Sequence, residues 1–229
     1  MASDFYEPFI FAQNRQQGGD KYQAYRDAMK YFVIFAMLIF LGVMFYIDIL
    51  KYFISPSYFS GLKVVPVIMI AEFFFGVFFN LSLWYKLTDR TVWGAWFSLG
   101  GLGVTLALNI LLVPLLGYMG CAWAALGCYG SMMLASYLVG RVKHPIGYPT
   151  GRLVFYFVVA LVLYGFSLLV TTPFQWLNFM IRALLLAFYC LMVIKREGLH
   201  PVAMFRAFRH RGVKDIETVA VPKTPVEDE

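Results

Sequence analysis

The chain of 229 residues is 61% hydrophobic and only 14% charged, with a mean hydropathy of +0.70 and a net charge of +6. Because so little polar surface cannot cover a globule in water, this composition excludes a soluble domain. The apolar runs are about twenty residues long and uninterrupted, which excludes a β-barrel, whose strands alternate over about ten residues. The sequence therefore predicts an all-α integral membrane protein.

Residues 1–29 form a polar segment ahead of the first apolar run. This segment lacks the charged start, short apolar core and small-residue cleavage site of a removable signal peptide. We expect it to be a cytoplasmic linker.

Six apolar spans follow, each with about the length that crosses 30 Å of hydrocarbon. The predicted bundle, 30–194, comprises residues 30–50, 62–85, 92–115, 118–139, 153–170 and 174–194. Residues 195–229 form a basic tail, in which HPVAMFRAFRHR is expected to lie on the inner membrane surface as a short helix. The polar end of the tail contains prolines and is expected to be disordered.

Lysine and arginine are distributed unevenly between the two sides that these spans define. Sixteen of the nineteen basic residues fall in the N-terminal segment, the second and fourth connections and the C-terminal tail. The opposite side has only Lys51 and Lys63, and Arg182 lies inside the last span. The positive-inside rule therefore predicts that both termini are cytoplasmic. Because this asymmetry and contact with anionic headgroups explain the net charge, we assign no nucleic-acid partner.

A hairpin of two apolar helices occupies residues 109–140, and its turn contains Pro114, Gly117 and Gly120, which break the helical pattern. The third and fourth spans, which this hairpin connects, each carry a stripe of small residues at helical spacing. Close helix packing is the favoured interpretation of these stripes. Their members are Gly94, Ser98, Gly101, Thr105 and Asn109 on the third span and Gly120, Ala124, Gly127, Ser131 and Ala135 on the fourth.

Polar side chains inside spans are costly and therefore indicate function by default. Glu72, Gly76 and Asn80 fall within an arc of about 80°, a face expected to look into a bundle or a wet cavity. For Asn80 and Asn109, an interhelical hydrogen bond is an equally good explanation. The candidate residues of a substrate pathway are Glu72, Asn80, Asn109 and Arg182.

Glu72 and Arg182 lie at a similar depth, about 12 Å from the outer ends of their spans. They are candidates for a buried ion pair, which would lower the cost of burying either charge. Alternatively, Arg182 faces an aqueous cavity and binds a phosphate. Asp48 and Lys51 sit at the outer end of the first span, where we expect both to be solvated.

Neither the cysteines nor the histidines form a pattern that holds a metal or a disulfide. Cys121 and Cys128 are about 10 Å apart along one span, and Cys190 lies on another. The histidines have no second ligand at metal spacing. With no glycine-rich phosphate loop, nucleophile elbow or spaced carboxylate pair, we expect neither an enzyme nor a cofactor.

Three stretches carry a resemblance to a known family. NILLVPLLGYMGCAWAAL resembles the hairpin of the Wzx-type O-antigen flippases, in the polysaccharide export branch of the multidrug/oligosaccharidyl-lipid/polysaccharide exporter superfamily. EPFIFAQ and the polar linker after it resemble the connection before the ninth span of that family. SPSYFSGLKVVPVIM resembles the entry into the tenth. The similarity covers nearly the whole chain, and Cys121 departs from the alanine that is usual at its position.

The resemblance implies six helices corresponding to the second lobe of a fourteen-helix MATE-like flippase. Such proteins move undecaprenyl-diphosphate-linked oligosaccharide across the bacterial inner membrane by alternating access, for O-antigen, capsule or exopolysaccharide synthesis. We expect the chain to be a fragment or truncation that needs a first lobe or a second subunit as partner. No family motif assigns substrate residues in this lobe, so the four pathway candidates rest on burial alone.

Two alternatives remain open. The runner-up among transporters is a drug/cation antiporter lobe of the same superfamily, for which Glu72 would be the titrating carboxylate. The other alternative is a non-transporting membrane subunit that docks glycosyltransferases or a polymerase through its cytoplasmic loops.

Overall fold

A computed structural model describes residues 22–87, 90–143, 146–170 and 174–197. Throughout these ranges the secondary structure is helical and contains no strand. The predictions for most of the N-terminal linker and for nearly all of the C-terminal tail lie outside the described residues. The all-helical fold predicted from the apolar runs is confirmed for the part that is described.

Eight α-helices and two 3₁₀ segments make up the described chain. In order they are α1 (Gln23–Phe45), α2 (Ile47–Leu50), the 3₁₀ segments Lys51–Phe53 and Pro56–Val64, α3 (Val65–Leu81), α4 (Leu83–Leu87), α5 (Val92–Leu116), α6 (Tyr118–Lys143), α7 (Thr150–Leu169) and α8 (Gln175–Glu197).

Six helical stretches are long and apolar enough to cross a membrane, as the sequence predicts. The first of these helices begins at Gln23, earlier than the predicted span at Lys30, because its polar start is itself helical. An i,i+3 ion pair between Lys30 and Asp27 at 3.4 Å supports that first part of the helix. The second stretch also begins early, at Pro56, through the 3₁₀ segment that leads into α3. Proline suits such a first turn because its fixed φ matches a helix.

The helices of the first 183 residues pack side by side in the order α5, α6, α3, α1, α7. Contacts of aromatic rings and small residues show how α3 is aligned with α6. Phe75 packs against Tyr129 at 4.8 Å between ring centroids, and Trp84, on α4 directly after α3, covers Gly140. Since both contact positions advance together along the chain, α3 and α6 run parallel. The chain divides after Ala183, and the described part of the second unit continues α8 from Leu184 to Glu197.

The α5–α6 hairpin depends on glycines at its turn and in its interface. Gly117 has a φ of +59°, a conformation that a residue with a Cβ rarely adopts. Gly120 faces the backbone of Leu112, and a Cβ there would clash with it. In the interface, a Cβ on Gly101 would meet the side chains of Met132 and Cys128. The packing interpretation of the small-residue stripes is therefore the right one at these positions.

A buried cluster rich in aromatic residues lies toward the end of the bundle that carries Lys86, Arg141 and Lys143, which we call the basic side. Its buried residues are Tyr25, Phe78, Leu83, Trp84, Tyr85, Phe97, Cys128, Met132 and Ile146. Many other large apolar side chains are exposed, such as Ile110 at 73% and Leu115 at 80%. An apolar surface of this extent is stable against lipid but not against water.

Candidate functional site

Arg182 reaches back to the end of α1 that lies away from the basic side. Its Nη1 donates to the carbonyl oxygen of Phe45 and to Oδ2 of Asp48, both at 2.9 Å. Side chains on a helix point toward its N-terminus, so Arg182 is directed to the outer end of α8. The Phe45 carbonyl belongs to the last turn of α1, where carbonyls lack helical partners and a cation is favourable. The guanidinium therefore satisfies a helix end and a carboxylate at once.

Asp48 is shared between two cations. Lys51 Nζ donates to its Oδ1 at 2.7 Å, from one turn further along. The Asp48 side chain is 44% exposed and Arg182 only 17%. The hydrogen bonds from Lys51 and from Arg182 hold the pKa of Asp48 below its ordinary value of 3.8, against the opposing effect of partial burial. The carboxylate therefore remains ionised at neutral pH.

These charged groups line a cavity of 520 Å³, which we call the Arg182 cavity. Its volume lies within the range of about 300–1,000 Å³ that is typical of small-molecule sites. Tyr52, whose ring is 89% exposed, and Phe59, at 41%, add aromatic faces to the wall. The remaining wall consists of Asp48, Lys51, Asn178, Phe179 and Arg182.

The donor set of the Arg182 cavity is suited to a polar ligand with apolar faces. The amide, the ammonium and the guanidinium donate hydrogen bonds to hydroxyl groups or anionic oxygens, and the carboxylate accepts hydrogen bonds from hydroxyl groups. Aromatic rings pack against the C–H faces of a sugar ring. With two cations and one carboxylate, the wall carries a net positive charge, which favours an anionic or neutral polyhydroxylated ligand.

Glu72 and Arg182 do not pair, so that hypothesis is wrong. Glu72 is exposed on α3 and makes no ion pair with any described residue, whereas Arg182 binds Asp48. The hypothesis used only the similar depth of the two residues in the membrane. Depth does not show whether their two helices are neighbours. The expectation that Asp48 is simply solvated is also incomplete, because half of its hydrogen bonding goes to Arg182.

Asn80 and Asn109 bond their own helices. Asn80 Nδ2 donates to the carbonyl of Gly76 at 3.0 Å, and Asn109 Nδ2 donates to that of Thr105 at 2.8 Å. Such i−4 bonds give the amide donor a partner inside an apolar span without a second helix. The interhelical hydrogen bond considered from the sequence is therefore not what their donors make. Asn80 is buried, and its Oδ1 has no hydrogen-bond partner among the described residues.

Of the four predicted pathway residues, Arg182 lines a cavity of mixed polarity in the described part of the chain. Glu72 and Asn80, placed on one face from the sequence, differ in environment: Glu72 is exposed, while Gly76 between them packs on Phe32 and Asn80 is buried. An 80° arc is wide enough to cross from an exposed face to a buried one.

Asp48 is the residue of this candidate site that was not among the pathway residues predicted from the sequence. One signal was present: Asp48 and Lys51 are spaced i,i+3 directly after an apolar span, at the same end as the start of the helix that carries Arg182. An arginine within a span needs a carboxylate or carbonyl partner, and a long side chain finds it at the membrane boundary.

Comparison with known proteins adds no relative. No protein-family model, no curated protein and no solved structure matches the chain.

Proposed function

We propose that this chain is one lobe of a transporter that flips undecaprenyl-diphosphate-linked oligosaccharide across the bacterial inner membrane. The observation that carries the proposal is the Arg182 cavity, in which charged, amide and aromatic groups meet at the end of the bundle opposite the basic side. A wall of this kind suits sugar hydroxyls and a diphosphate, because its donors bond hydroxyl and phosphate oxygens. The resemblance of the α5–α6 hairpin to the O-antigen flippases supports the same proposal.

The distribution of charge supports an orientation in the inner membrane. Lys86, Arg141, Lys143 and Arg152 lie at one end of the described helices, and by the positive-inside rule this supports a cytoplasmic position for that end. The Arg182 cavity then opens toward the periplasmic leaflet, where the oligosaccharide is released. Both chain termini are cytoplasmic in this arrangement.

A second bundle is part of the proposal. Alternating access requires two bundles that rock around a shared site. The α5 span has only 6% of its residues buried, so most of its surface contacts lipid or another bundle. We propose a first lobe or a second subunit as the partner that completes the pathway, with glycosyltransferases or a polymerase as further assembly partners.

The test is restoration of surface polysaccharide. The chain is expressed with a compatible first lobe in bacteria whose own O-antigen flippase is deleted, and surface O-antigen is measured by immunoblot. Tyr52→Ala should reduce the surface polymer several-fold, because an 89% exposed ring contributes to ligand contact and little to folding. Tyr58→Ala is the matched control, since Tyr58 is 70% exposed nearby but does not line the cavity.

Two outcomes would count against the proposal. If both tyrosine variants support wild-type surface polymer at equal protein levels, the cavity does not contact the cargo. If no polymer appears with any first lobe, although the chain is stable and copurifies with a glycosyltransferase or polymerase, the subunit alternative is favoured instead.

The antiporter alternative depends on Glu72. In the described part of the chain this carboxylate is exposed and lacks a bundle environment, so the present observations favour the flippase over the antiporter. Loss of proton-driven dye efflux on Glu72→Gln in the assembled transporter would reverse that preference.

A further inference from the structure

An apolar groove of 480 Å³ runs between α1, α3, α6 and α7. Its floor is made by buried side chains such as Met29, Val33 and Phe73. Its rim is formed by Val154 and Val158 on α7, which are 57% and 47% exposed, and by Leu134 on α6. The groove is therefore open sideways, toward the position of the lipid tails.

A second cavity, of 310 Å³, adjoins the groove at the basic side. The two share the lining residues Leu81, Tyr137, Tyr148 and Thr150, so they lie directly next to each other. Arg141 lies on the wall of this second cavity, at the end of α6. The apolar groove thus ends in a region with a guanidinium.

The wall of the second cavity is held in place. Arg26 Nη1 on α1 donates to the carbonyl of Ile146 at 3.4 Å, which ties the segment after α6 back to α1. Gly147 in that segment has a φ of +71°, so the turn needs glycine. Arg141 itself is exposed and makes no hydrogen bond or ion pair through its side chain within the described ranges.

We propose that the groove and the adjoining cavity bind one anionic phospholipid, with an acyl chain in the groove and the phosphate on Arg141. In a bilayer an apolar groove that opens sideways is filled by an apolar chain, because water is absent there. Basic pockets between helices on the cytoplasmic side bind anionic headgroups, and guanidinium is shaped to take two phosphate oxygens. The site depends on the bundle lying in the membrane and not on which cargo the bundle transports.

The charge on Arg141 and the open rim of the groove make separate contributions to lipid binding. A different substitution removes each of them. The purified full chain is titrated with phosphatidylglycerol and with phosphatidylethanolamine, and bound lipids are counted by native mass spectrometry. The wild-type chain should bind one phosphatidylglycerol in preference to phosphatidylethanolamine. Arg141→Gln should weaken phosphatidylglycerol binding about tenfold and remove the preference. Arg152→Gln is the charge control, because Arg152 is exposed on the same side but lines neither cavity.

Val154→Trp should block the groove and abolish retention of either lipid. Val162→Trp is its matched control, since Val162 is 63% exposed on the same helix but lies off the groove. All four positions are exposed, so the variants are expected to fold, which circular dichroism checks.

Several results would overturn the proposal. Equal binding of the two lipids by the wild-type chain would remove the role of charge, and equal effects of the two arginine variants would remove that of Arg141. Glycerol 3-phosphate bound as tightly as phosphatidylglycerol would show that the groove holds no chain. A dimer dissociated by Val154→Trp but not by Val162→Trp would make the groove an interface between copies.

Discussion

At the level of single residues, Arg182 links the start of α8 to the end of α1. It is the most buried member of the charged group, at 17% exposure, and it binds both a carbonyl and a carboxylate. Removing one partner of such a pair leaves the other charge partly desolvated and unpaired. Loss of this contact therefore destabilises the protein mainly by leaving a partly buried charge unpaired. The net attraction between the two side chains contributes less.

The coupling between Asp48 and Arg182 is measurable by a double-mutant cycle. Asp48→Asn, Arg182→Gln and the double variant are unfolded in mixed micelles of dodecyl maltoside and sodium dodecyl sulfate. We expect a coupling free energy of about 0.5–3 kcal/mol, because the two side chains are in contact. The same cycle with Glu72→Gln in place of Asp48→Asn should give none, and a larger coupling to Glu72 would contradict the pairing found here.

The stability of this contact should depend on pH. Because the pKa of Asp48 is lowered in the folded chain, its carboxylate stabilises the fold above the ordinary value of 3.8. That contribution is lost as pH falls from about 4 through the lower folded pKa. Thermal unfolding between pH 6 and pH 2.5 should show a steeper loss of Tm for the wild-type chain than for Asp48→Asn. Parallel profiles for the two would show that Asp48 does not carry the effect.

At the level of elements, the α5–α6 hairpin shows why glycine spacing alone is an ambiguous signal. Gly101, Gly120 and Gly127 are each covered by the opposite arm, while Gly100 and Gly103 have open space where a Cβ would lie. Cys128 Sγ donates to the carbonyl of Gly101 at 3.3 Å, a contact that needs this close approach. The same residue type thus marks a packed face and an outward face of one helix.

This contrast predicts different effects for two equivalent substitutions. Gly120→Ala should destabilise the protein by about 1–3 kcal/mol, because the new Cβ meets the backbone of Leu112, which cannot rotate away. Gly103→Ala is the control and should be neutral or stabilising by up to about 1 kcal/mol, as alanine is the better helix former. Unfolding in mixed micelles measures both. Equal stability of the two variants would show that the turn is looser than described.

At the level of the whole molecule, the orientation that we propose from the distribution of charge is testable directly. In a background with Cys121, Cys128 and Cys190 replaced by serine, single cysteines are introduced as Ser57→Cys or Val142→Cys, both at exposed positions. A membrane-impermeant maleimide should label Ser57→Cys in intact cells and Val142→Cys only after permeabilisation. The opposite pattern would invert the topology, and with it the leaflet assigned to each cavity.

Much of the fold was predictable from the sequence because the length of an apolar run depends only on consecutive residues. A run of about twenty apolar residues must form a helix in lipid, where each backbone group needs a partner within its own segment. The early starts at Gln23 and Pro56 were not predictable from hydropathy, since polar and 3₁₀ turns extend a helix beyond its apolar part.

The candidate site was less predictable. Arg182 stood out because a cation inside a span is costly, but its partner depended on which helix end lies next to α8. Asn80 and Asn109 stood out for the same reason and turned out to bond within their own helices. A sequence pattern predicts how deep a residue lies in the membrane and which face of its helix carries it. It does not predict which other helix packs against that face.

The sequence by itself determined that this protein is helical and apolar enough to lie in a membrane, and it located six helices that can span it. These properties depend on composition and on contacts between residues close in the chain. Only the tertiary structure decided that Arg182 pairs with Asp48, 134 residues away, and that α6 packs between α3 and α5. The order in which helices pack side by side depends on how well the surfaces of helices that are distant in the sequence fit together. Hydropathy contains no information on the shapes of those surfaces.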